Sequence, residues 1–152
     1  MILSLDLHSS ANALYESSAQ RWWSYRELID SILETQALLP NPSKALVFDF
    51  CRNDIRSIVT YLAALDSGHA AALLDDGLPA ESKAGLIDLY QPEFISTAQP
   101  VPTSGYEPVT DSLWRRTASC NQPLHPDLSL LLSTSGSTGS PRFVRLSRQN
   151  LE

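Results

Sequence analysis

An alternation of short apolar runs with longer amphipathic segments, between residues 45 and 97, constrains the fold most strongly. The runs at 45–50, 70–74 and 93–97 are too short for core helices and are typical of strands buried inside a sheet. The segments between them carry apolar residues at helical spacing. Strands and helices that alternate through short turns predict parallel strands with helices on both faces. We therefore expect an α/β fold, a partial doubly wound and mostly parallel sheet with flanking helices.

A helix is predicted over residues 24–39, before the first of these strands. Ser24 and Glu27 form a capping box at its start, in which each side chain bonds the backbone amide of the other residue. Pro40 and Pro42 end this helix, because proline has no N–H to donate to the preceding turn.

Two further helices are expected to join the strands. Asn53 is expected to cap the first of them, and Gly68 to stop it in the left-handed conformation that commonly follows a helix. Pro79 suits the first position of the next helix, which runs to about Tyr90.

Composition and charge exclude several classes of function. The chain has 152 residues, of which 43% are hydrophobic and 18% charged, as in a globular protein with a buried core. Its formal net charge of −6 argues against nucleic-acid or anionic-membrane partners. No apolar run reaches membrane-spanning length, and the N-terminus lacks the basic start of a signal peptide. We expect a cytoplasmic protein. Cys51 and Cys120 form no spacing motif, so reduced thiols are the default and a disulfide between them stays open.

Acidic and histidine residues give no metal or catalytic pattern. Asp75 and Asp76 follow the end of the second predicted strand, where α/β folds bind ligands. Because a glycine follows them, we interpret them as a turn-forming, solvated pair. His8, His69 and His125 share no metal-ligand spacing and are interpreted as surface or loop residues. No catalytic residue and no metal ligand is predicted.

Residues with binding chemistry concentrate near the end of the chain. A strand is predicted at 128–133, and 143–146 is expected to be its hairpin partner. The residues between them, called here the hydroxyl segment (134–142), are Thr134, Ser135, Gly136, Ser137, Thr138, Gly139, Ser140, Pro141 and Arg142.

The hydroxyl segment has the composition of a phosphate cradle. Its glycines let the backbone approach a ligand, and successive N–H groups and hydroxyls bind phosphate oxygens. Arg142 adds a permanent positive charge. The segment does not match the Walker, dinucleotide or nucleophile-elbow motifs, because it lacks their glycine spacings. A flexible Ser/Gly linker is the alternative, but a linker needs neither the preceding strand nor the Pro-Arg step.

The hydroxyl segment resembles the phosphate-binding signature of the adenylate-forming (AMP-binding) superfamily, Thr-Ser-Gly-Ser/Thr-Thr-Gly-x-Pro-Lys. This superfamily includes acyl-CoA synthetases, peptide-synthetase adenylation domains and luciferases. Arg142 stands where the family has lysine. Directly after the signature, Phe143 stands in place of the usual glycine. Weaker matches lie at 23–28 and 65–75, and the second has Asp66 in place of a lysine and Leu73 in place of a proline.

The resemblance implies an acyl-CoA synthetase-like ligase that activates a carboxylic acid with ATP, giving an acyl-adenylate for transfer to coenzyme A or another thiol. The implied cofactors are ATP and Mg²⁺. The implied nucleotide-binding residues are Thr134, Ser135, Gly136, Ser137, Thr138, Gly139 and Arg142. In this family the adenine, magnesium and ribose motifs and the catalytic lysine follow the signature, and the 152 residues do not contain them. We therefore expect the parent protein to be the ligase and this chain alone to be inactive.

One incomplete domain is expected, in three parts. These are an α/β core over 1–97, a Pro-rich connection over 98–127, and the predicted strand, phosphate loop and truncated helix start over 128–152. The connection either wraps the surface or contains a short helix near 111–116. Ser147 resembles a helix cap followed by only one turn, so we expect an N-terminal portion of a longer protein.

Two other interpretations stay open. One is a stand-alone, non-catalytic scaffold or interaction module derived from this fold. The other is half of a split enzyme, with a partner chain that carries the remaining motifs. A truncated piece is expected to expose apolar surface and self-associate, whereas an evolved module is expected to be monodisperse.

Overall fold

The computed structural model describes residues 10–40, 42–118, 123–134 and 142–151 as a sheet flanked by helices. In chain order the elements are β1 (Asn12–Glu16), β2 (Arg21–Ser24), α1 (Tyr25–Ala37), β3 (Leu46–Cys51), α2 (Ile55–Asp66), β4 (Ala70–Asp75), α3 (Ala80–Tyr90), β5 (Phe94–Ser96), β6 (Tyr106–Pro108), β7 (Leu113–Arg116), β8 (Leu128–Thr134), β9 (Arg142–Ser147) and a 3-10 turn at Arg148–Asn150. Each strand and helix predicted between residues 45 and 97 is present.

The main sheet has a parallel centre and antiparallel edges. Within the described part of the chain, its strand order is β6-β7-β5-β3-β4-β8-β9. Strands β5, β3, β4 and β8 run parallel, whereas β7 and β6 on one side and β9 on the other run antiparallel to their neighbours. Phe48 at the centre lies opposite Ala72 and Ile95. The predicted fold class is confirmed.

Strand β3 is buried on both faces, as its continuous apolar run predicts. Val47 packs in the cluster that includes α1 and α2, and Phe48 packs in the cluster that includes α3. Both side chains are fully buried. Burying a side chain of this size stabilises the fold by about 1.5–3 kcal/mol. The helices therefore cover opposite faces of one central strand.

Helix α1 begins at the predicted capping box. The Glu27 amide donates to Ser24 Oγ over 3.2 Å, and the Ser24 amide donates to Glu27 Oε2 over 2.8 Å. Leu28 and Ile32, one turn apart, face the core and are buried. The helix ends at Ala37, shortly before the prolines expected to stop it.

The capping residue of α2 differs from the prediction. Asp54, and not Asn53, has the extended backbone of a cap, and its Oδ1 accepts from the Ser57 amide over 3.1 Å. Both residue types cap well, so composition alone did not separate two neighbours. Gly68 has a φ of 78°, which confirms the left-handed stop. Pro79 precedes the first residue of α3.

The Pro-rich connection returns to the sheet. The short helix suggested near 111–116 is wrong, because residues 113–116 form β7. The outer edge of β5 supplies unpaired backbone groups, and β7 satisfies them with Trp114 opposite Ile95. Tyr106 anchors β6 by donating its hydroxyl to the Pro92 carbonyl over 2.8 Å.

A separate hairpin of β1 and β2 precedes α1, and no sequence pattern indicated it. Glu16 ties this hairpin to the rest of the chain, because it accepts from the Trp23 indole over 3.0 Å and from the Ile55 amide over 3.1 Å. The exposed ring of Trp22 lies 5.2 Å from the ring of Tyr15.

Candidate functional site

The hydroxyl segment leaves the sheet at the carboxyl ends of its parallel strands. Thr134 ends β8 and Arg142 begins β9, and the two residues pair across the hairpin. Strand β4 lies parallel to β8, with Leu73 opposite Leu132, so β4 ends at the same edge. In open α/β sheets this is the edge at which ligands bind. The position of the segment therefore suits a ligand loop.

The hairpin predicted on either side of the hydroxyl segment, at 128–133 and 143–146, is confirmed. Thr134 and Arg142 are placed by their backbones as the two ends of the loop. The other predicted nucleotide-binding residues lie outside the described residues, and they are Ser135, Gly136, Ser137, Thr138 and Gly139. The binding roles of these residues stay predictions.

Two aspartates at the end of β4 lie in different environments. Asp75 is exposed, and its Oδ1 accepts from the Gly77 amide over 2.8 Å, as a turn-forming residue does. Asp76 is only 8% exposed and forms ion pairs with Arg52 and with Lys83, whose Nζ lies 3.1 Å from Oδ1. The interpretation of a solvated pair is confirmed for Asp75 and wrong for Asp76.

Lys83 explains the burial of Asp76. This lysine, on α3, is 5% exposed, and its Nζ lies 4.9 Å from the centre of the Phe50 ring. Burial by itself would raise the pKa of Asp76, but hydrogen bonds from Arg52 and Lys83 lower it below its ordinary value. Asp76 is therefore ionised and neutralised within the fold. Sequence spacing did not indicate this contact, because it joins a strand end to a helix seven residues later.

A second polar cluster is buried between β3 and β5. Asp49 of β3 lies opposite Ser96 of β5. Arg56, in the first turn of α2, reaches both residues, with Nη1 3.3 Å from Asp49 Oδ1 and 2.5 Å from Ser96 Oγ. Thr60 completes the cluster, with its hydroxyl 3.3 Å from that of Ser96. Burial raises the pKa of Asp49 to about 7 against the opposing effect of the Arg56 charge.

The neighbouring thiol is not a nucleophile. Burial, reinforced by the Asp49 carboxylate, raises the pKa of Cys51 to about 12. The thiol therefore stays protonated at neutral pH. Cys51 is a free thiol, and Cys120 lies outside the described residues. A disulfide between these two residues is therefore not tested.

His69 is a structural residue, which corrects its interpretation as a surface or loop residue. It is 5% exposed, and its Nδ1 accepts from the Ala45 amide over 3.2 Å. Because Nδ1 accepts, Nε2 is the ring nitrogen that donates, and it lies 3.0 Å from the Leu39 carbonyl oxygen. His125 is exposed as expected, and His8 lies outside the described residues.

The described residues contain neither a metal-binding cluster nor a membrane-spanning helix. No group of three or more histidine, cysteine, aspartate or glutamate residues among them is arranged to hold a metal ion. None of the helices within those ranges is both long enough and apolar enough to cross a membrane.

Comparison with solved structures shows that the chain shares its fold with the N-terminal subdomain of NpsA and with part of MatB. No family model and no curated protein matches the sequence. Among solved structures, the N-terminal subdomain of Klebsiella oxytoca NpsA, in complex with 3-hydroxybenzoyl-AMSN, is similar with a TM-score of 0.67 and 23% identity. That match covers 92% of this chain and 38% of the NpsA chain.

Two other structures give the same result. Apo MatB from Rhodopseudomonas palustris matches with a TM-score of 0.68 and 20% identity, over 94% of this chain and 33% of that one. PA1221, an NRPS protein containing adenylation and PCP domains, matches with a TM-score of 0.64 and 24% identity, over 93% of this chain and 26% of that one. The chain thus spans well under half the length of the proteins whose fold it shares.

Proposed function

We propose that the chain is the N-terminal part of an ATP-dependent ligase that activates a carboxylic acid as an acyl-adenylate, for transfer to coenzyme A or another thiol. One observation carries the proposal: the hydroxyl segment joins β8 to β9 at the carboxyl edge of a sheet with the adenylate-forming fold. The remaining motifs of such a ligase would belong to the rest of the protein or to a partner chain.

The proposed chemistry explains why the segment has these residues. A carboxylate is a poor electrophile, and adenylation turns one of its oxygens into part of a good leaving group. The enzyme must hold pyrophosphate as negative charge develops on it, which is a task of positioning and electrostatics. The hydroxyls of Ser135, Ser137 and Thr138 would donate to its oxygens. The backbone amides of Gly136 and Gly139 would donate as well.

Magnesium would arrive with the nucleotide. The hydroxyl and amide hydrogens of the segment would donate to phosphate oxygens. Among the described residues no carboxylate cluster fits a metal ion. When bound, Mg²⁺ would neutralise part of the phosphate charge.

Arg142 would supply the decisive positive charge. At the neighbouring end of β4, the cations Arg52 and Lys83 both pair with Asp76, and the exposed Asp75 adds a second negative charge. This part of the edge therefore contributes little net charge toward a phosphate. A charge-assisted hydrogen bond from a guanidinium contributes about 1.5–3 kcal/mol, so Arg142 is the residue to test.

The test is an NMR titration of the ¹⁵N-labelled chain with pyrophosphate and then with MgATP. We expect saturable shifts of the amides in 134–142, and a loss of affinity of about 10- to 100-fold in Arg142→Ala. Arg142→Lys, which keeps the charge, should lose less. The matched control is Arg145→Ala, which removes an exposed arginine of the same strand and should leave affinity within about twofold. Equal losses in Arg142→Ala and Arg145→Ala, or no movement of these amides, would contradict the proposal.

A stand-alone interaction module is the second candidate. The observation that favours it is that the described chain already covers both faces of its central strands with its own helices. Such a module would keep the fold without turnover. It would stay monomeric, whereas an enzyme fragment would self-associate.

A further inference from the structure

Four aromatic side chains form a continuous row from β3 through α3 to β9. The Phe50 and Phe48 rings of β3 have centres 6.3 Å apart, and the Phe48 ring lies 6.1 Å from that of Tyr90, the last residue of α3. The Tyr90 ring in turn meets the Phe143 ring of β9 edge to face at 5.2 Å. These separations are within the range in which aromatic rings attract one another. We call these four residues the aromatic row.

The aromatic row crosses the sheet above a strand with small side chains. Phe48 and Phe143 lie on strands separated by β4 and β8 in the strand order. On β4, the fully buried Ala72 lies opposite Phe48 on one side and Leu131 on the other. A side chain as small as alanine leaves room for the Tyr90 ring above the sheet. Helix α3 therefore joins the start of β9 to the central strand.

Phe143 directly follows the last residue of the hydroxyl segment. Its Cα is one peptide unit, about 3.8 Å, from the Cα of Arg142. Arg142 pairs with Thr134 and Phe143 pairs with Ser133, so these two pairs form the base of the loop. Because the Phe143 ring is held by a helix outside this hairpin, its contact with Tyr90 restrains the backbone of Arg142.

The residue at position 143 distinguishes this chain from the signature that it resembles. The usual residue directly after the signature is glycine, and this chain has Phe143. Glycine has no side chain to pack and leaves its backbone the widest choice of conformations. A donor that is already in place when an anion arrives loses less conformational freedom on binding, which improves affinity. The packed ring of Phe143 therefore has a direct consequence for the loop that precedes it.

The contact lies at the border of the core. Tyr90 is 37% exposed, and Phe143 is half-buried. Substitutions at such positions cost less stability than substitutions in the centre of a core. Variants that remove the contact should therefore fold, so that their ligand affinity can be measured.

We propose that Phe143 is a positioning residue for phosphate binding by the hydroxyl segment. Through its contact with Tyr90 it fixes the start of β9, and with it the backbone of Arg142, in the place from which this arginine meets pyrophosphate. The proposal rests on the proposed function, because it requires the segment to bind phosphate. It adds that the affinity depends on helix α3, which contributes no residue to the segment.

The test is a double-mutant cycle on the affinity for pyrophosphate, measured from the amide shifts of the ¹⁵N-labelled chain. Phe143→Leu and Tyr90→Leu should each weaken binding about three- to tenfold, since each removes the aromatic contact. The double variant should lose no more affinity than either single variant, because both changes remove the same contact. Tyr90→Phe keeps the ring and should bind within about twofold of the original chain.

Two control variants separate positioning from stability. Val59→Ala removes buried packing on the other face of the sheet, and should lower the free energy of unfolding without changing the affinity for pyrophosphate. Leu89→Ala alters the exposed neighbour of Tyr90 and should change neither quantity. In the free chain, the ¹H–¹⁵N nuclear Overhauser effect of the Arg142 amide should fall in Phe143→Leu and keep its value in Tyr90→Phe.

The positioning role and the proposed function can fail separately. If the original chain binds pyrophosphate and Phe143→Leu binds it equally well, the positioning role is wrong and the proposed function stands. The same holds if Val59→Ala weakens binding as much as Phe143→Leu does. If the original chain gives no saturable shifts in 134–142, the proposed function is wrong and the positioning role falls with it. If Phe143→Leu does not fold, Tyr90→Leu decides, because it removes the same contact from the side of the helix.

Discussion

Asp49 is the charged residue of an otherwise uncharged, buried strand, β3. It lies in an apolar run, is fully buried, and is held by a single guanidinium at 3.3 Å. Removing a carboxylate from water costs several kcal/mol unless partners replace the lost hydration. Arg56 replaces only part of the lost hydration, and the pKa of Asp49 is therefore raised to about 7. The free energy of unfolding should therefore depend on pH through Asp49.

Asp49→Asn should remove that dependence. The folded pKa of about 7 exceeds the ordinary value of 3.8, so the folded chain holds a proton that the unfolded chain has released between these values. The stabilisation is complete below about pH 4 and is lost as pH rises through about 7, by an amount on the order of 4 kcal/mol. The free energy of unfolding, measured by urea denaturation from about pH 4 to about pH 8, should fall less steeply in Asp49→Asn than in the original chain.

The matched control is Asp30→Asn, because Asp30 is an exposed aspartate on α1. It should follow the original profile. An Asp49→Asn chain with the same slope as the original would show that Asp49 is ionised throughout the range, which contradicts the buried, protonated form.

At the scale of single elements, the two candidate caps of α2 provide a direct comparison. Only Asp54 accepts from the Ser57 amide, and Asn53 beside it is exposed. Asp54→Ala should lower the free energy of unfolding by about 1 kcal/mol, because an N-cap satisfies an otherwise unpaired helix amide. Asn53→Ala should change it by less than about 0.5 kcal/mol. Urea denaturation measures both changes. A larger loss of stability in Asn53→Ala than in Asp54→Ala would show that Asn53 is the cap.

The sequence predicted those elements whose determining residues lie within the element itself. Strand β3 and helix α1 carry an uninterrupted apolar run and a complete capping box. Strand β7 has no such signal, because it forms only where β5 leaves an edge to be paired. The β1–β2 hairpin depends on Glu16, which bonds an amide of α2 far along the chain.

The same distinction holds for the candidate sites. The hydroxyl segment is contiguous, so its chemistry could be predicted from spacing alone. Asp49, Arg56 and Ser96 are separated by up to 47 positions and meet only through the register of β3 with β5 and the first turn of α2. No pattern in the sequence joins them, because the sheet order brings them together.

For the whole molecule, strand β9 is the element through which two copies of the chain could pair. No further strand pairs with its outer edge within the described ranges, so that edge presents free backbone groups. Val144 on it is 45% exposed. On the opposite face, the Phe143 ring meets the partly exposed ring of Tyr90 at 5.2 Å. An unpaired sheet edge that carries an exposed apolar side chain is a template for pairing with another strand.

A fragment of a larger ligase should therefore self-associate through this edge. We expect light scattering after size-exclusion chromatography to show an apparent mass that rises with concentration. Val144→Lys should return the chain to a monomer, because a charge on an edge strand opposes pairing. Leu33→Lys is the control, because Leu33 is 53% exposed but lies on α1, away from the edge. A monodisperse original chain at high concentration would contradict the fragment interpretation and support a stand-alone module, since a module selected to act alone must keep its own edge from pairing.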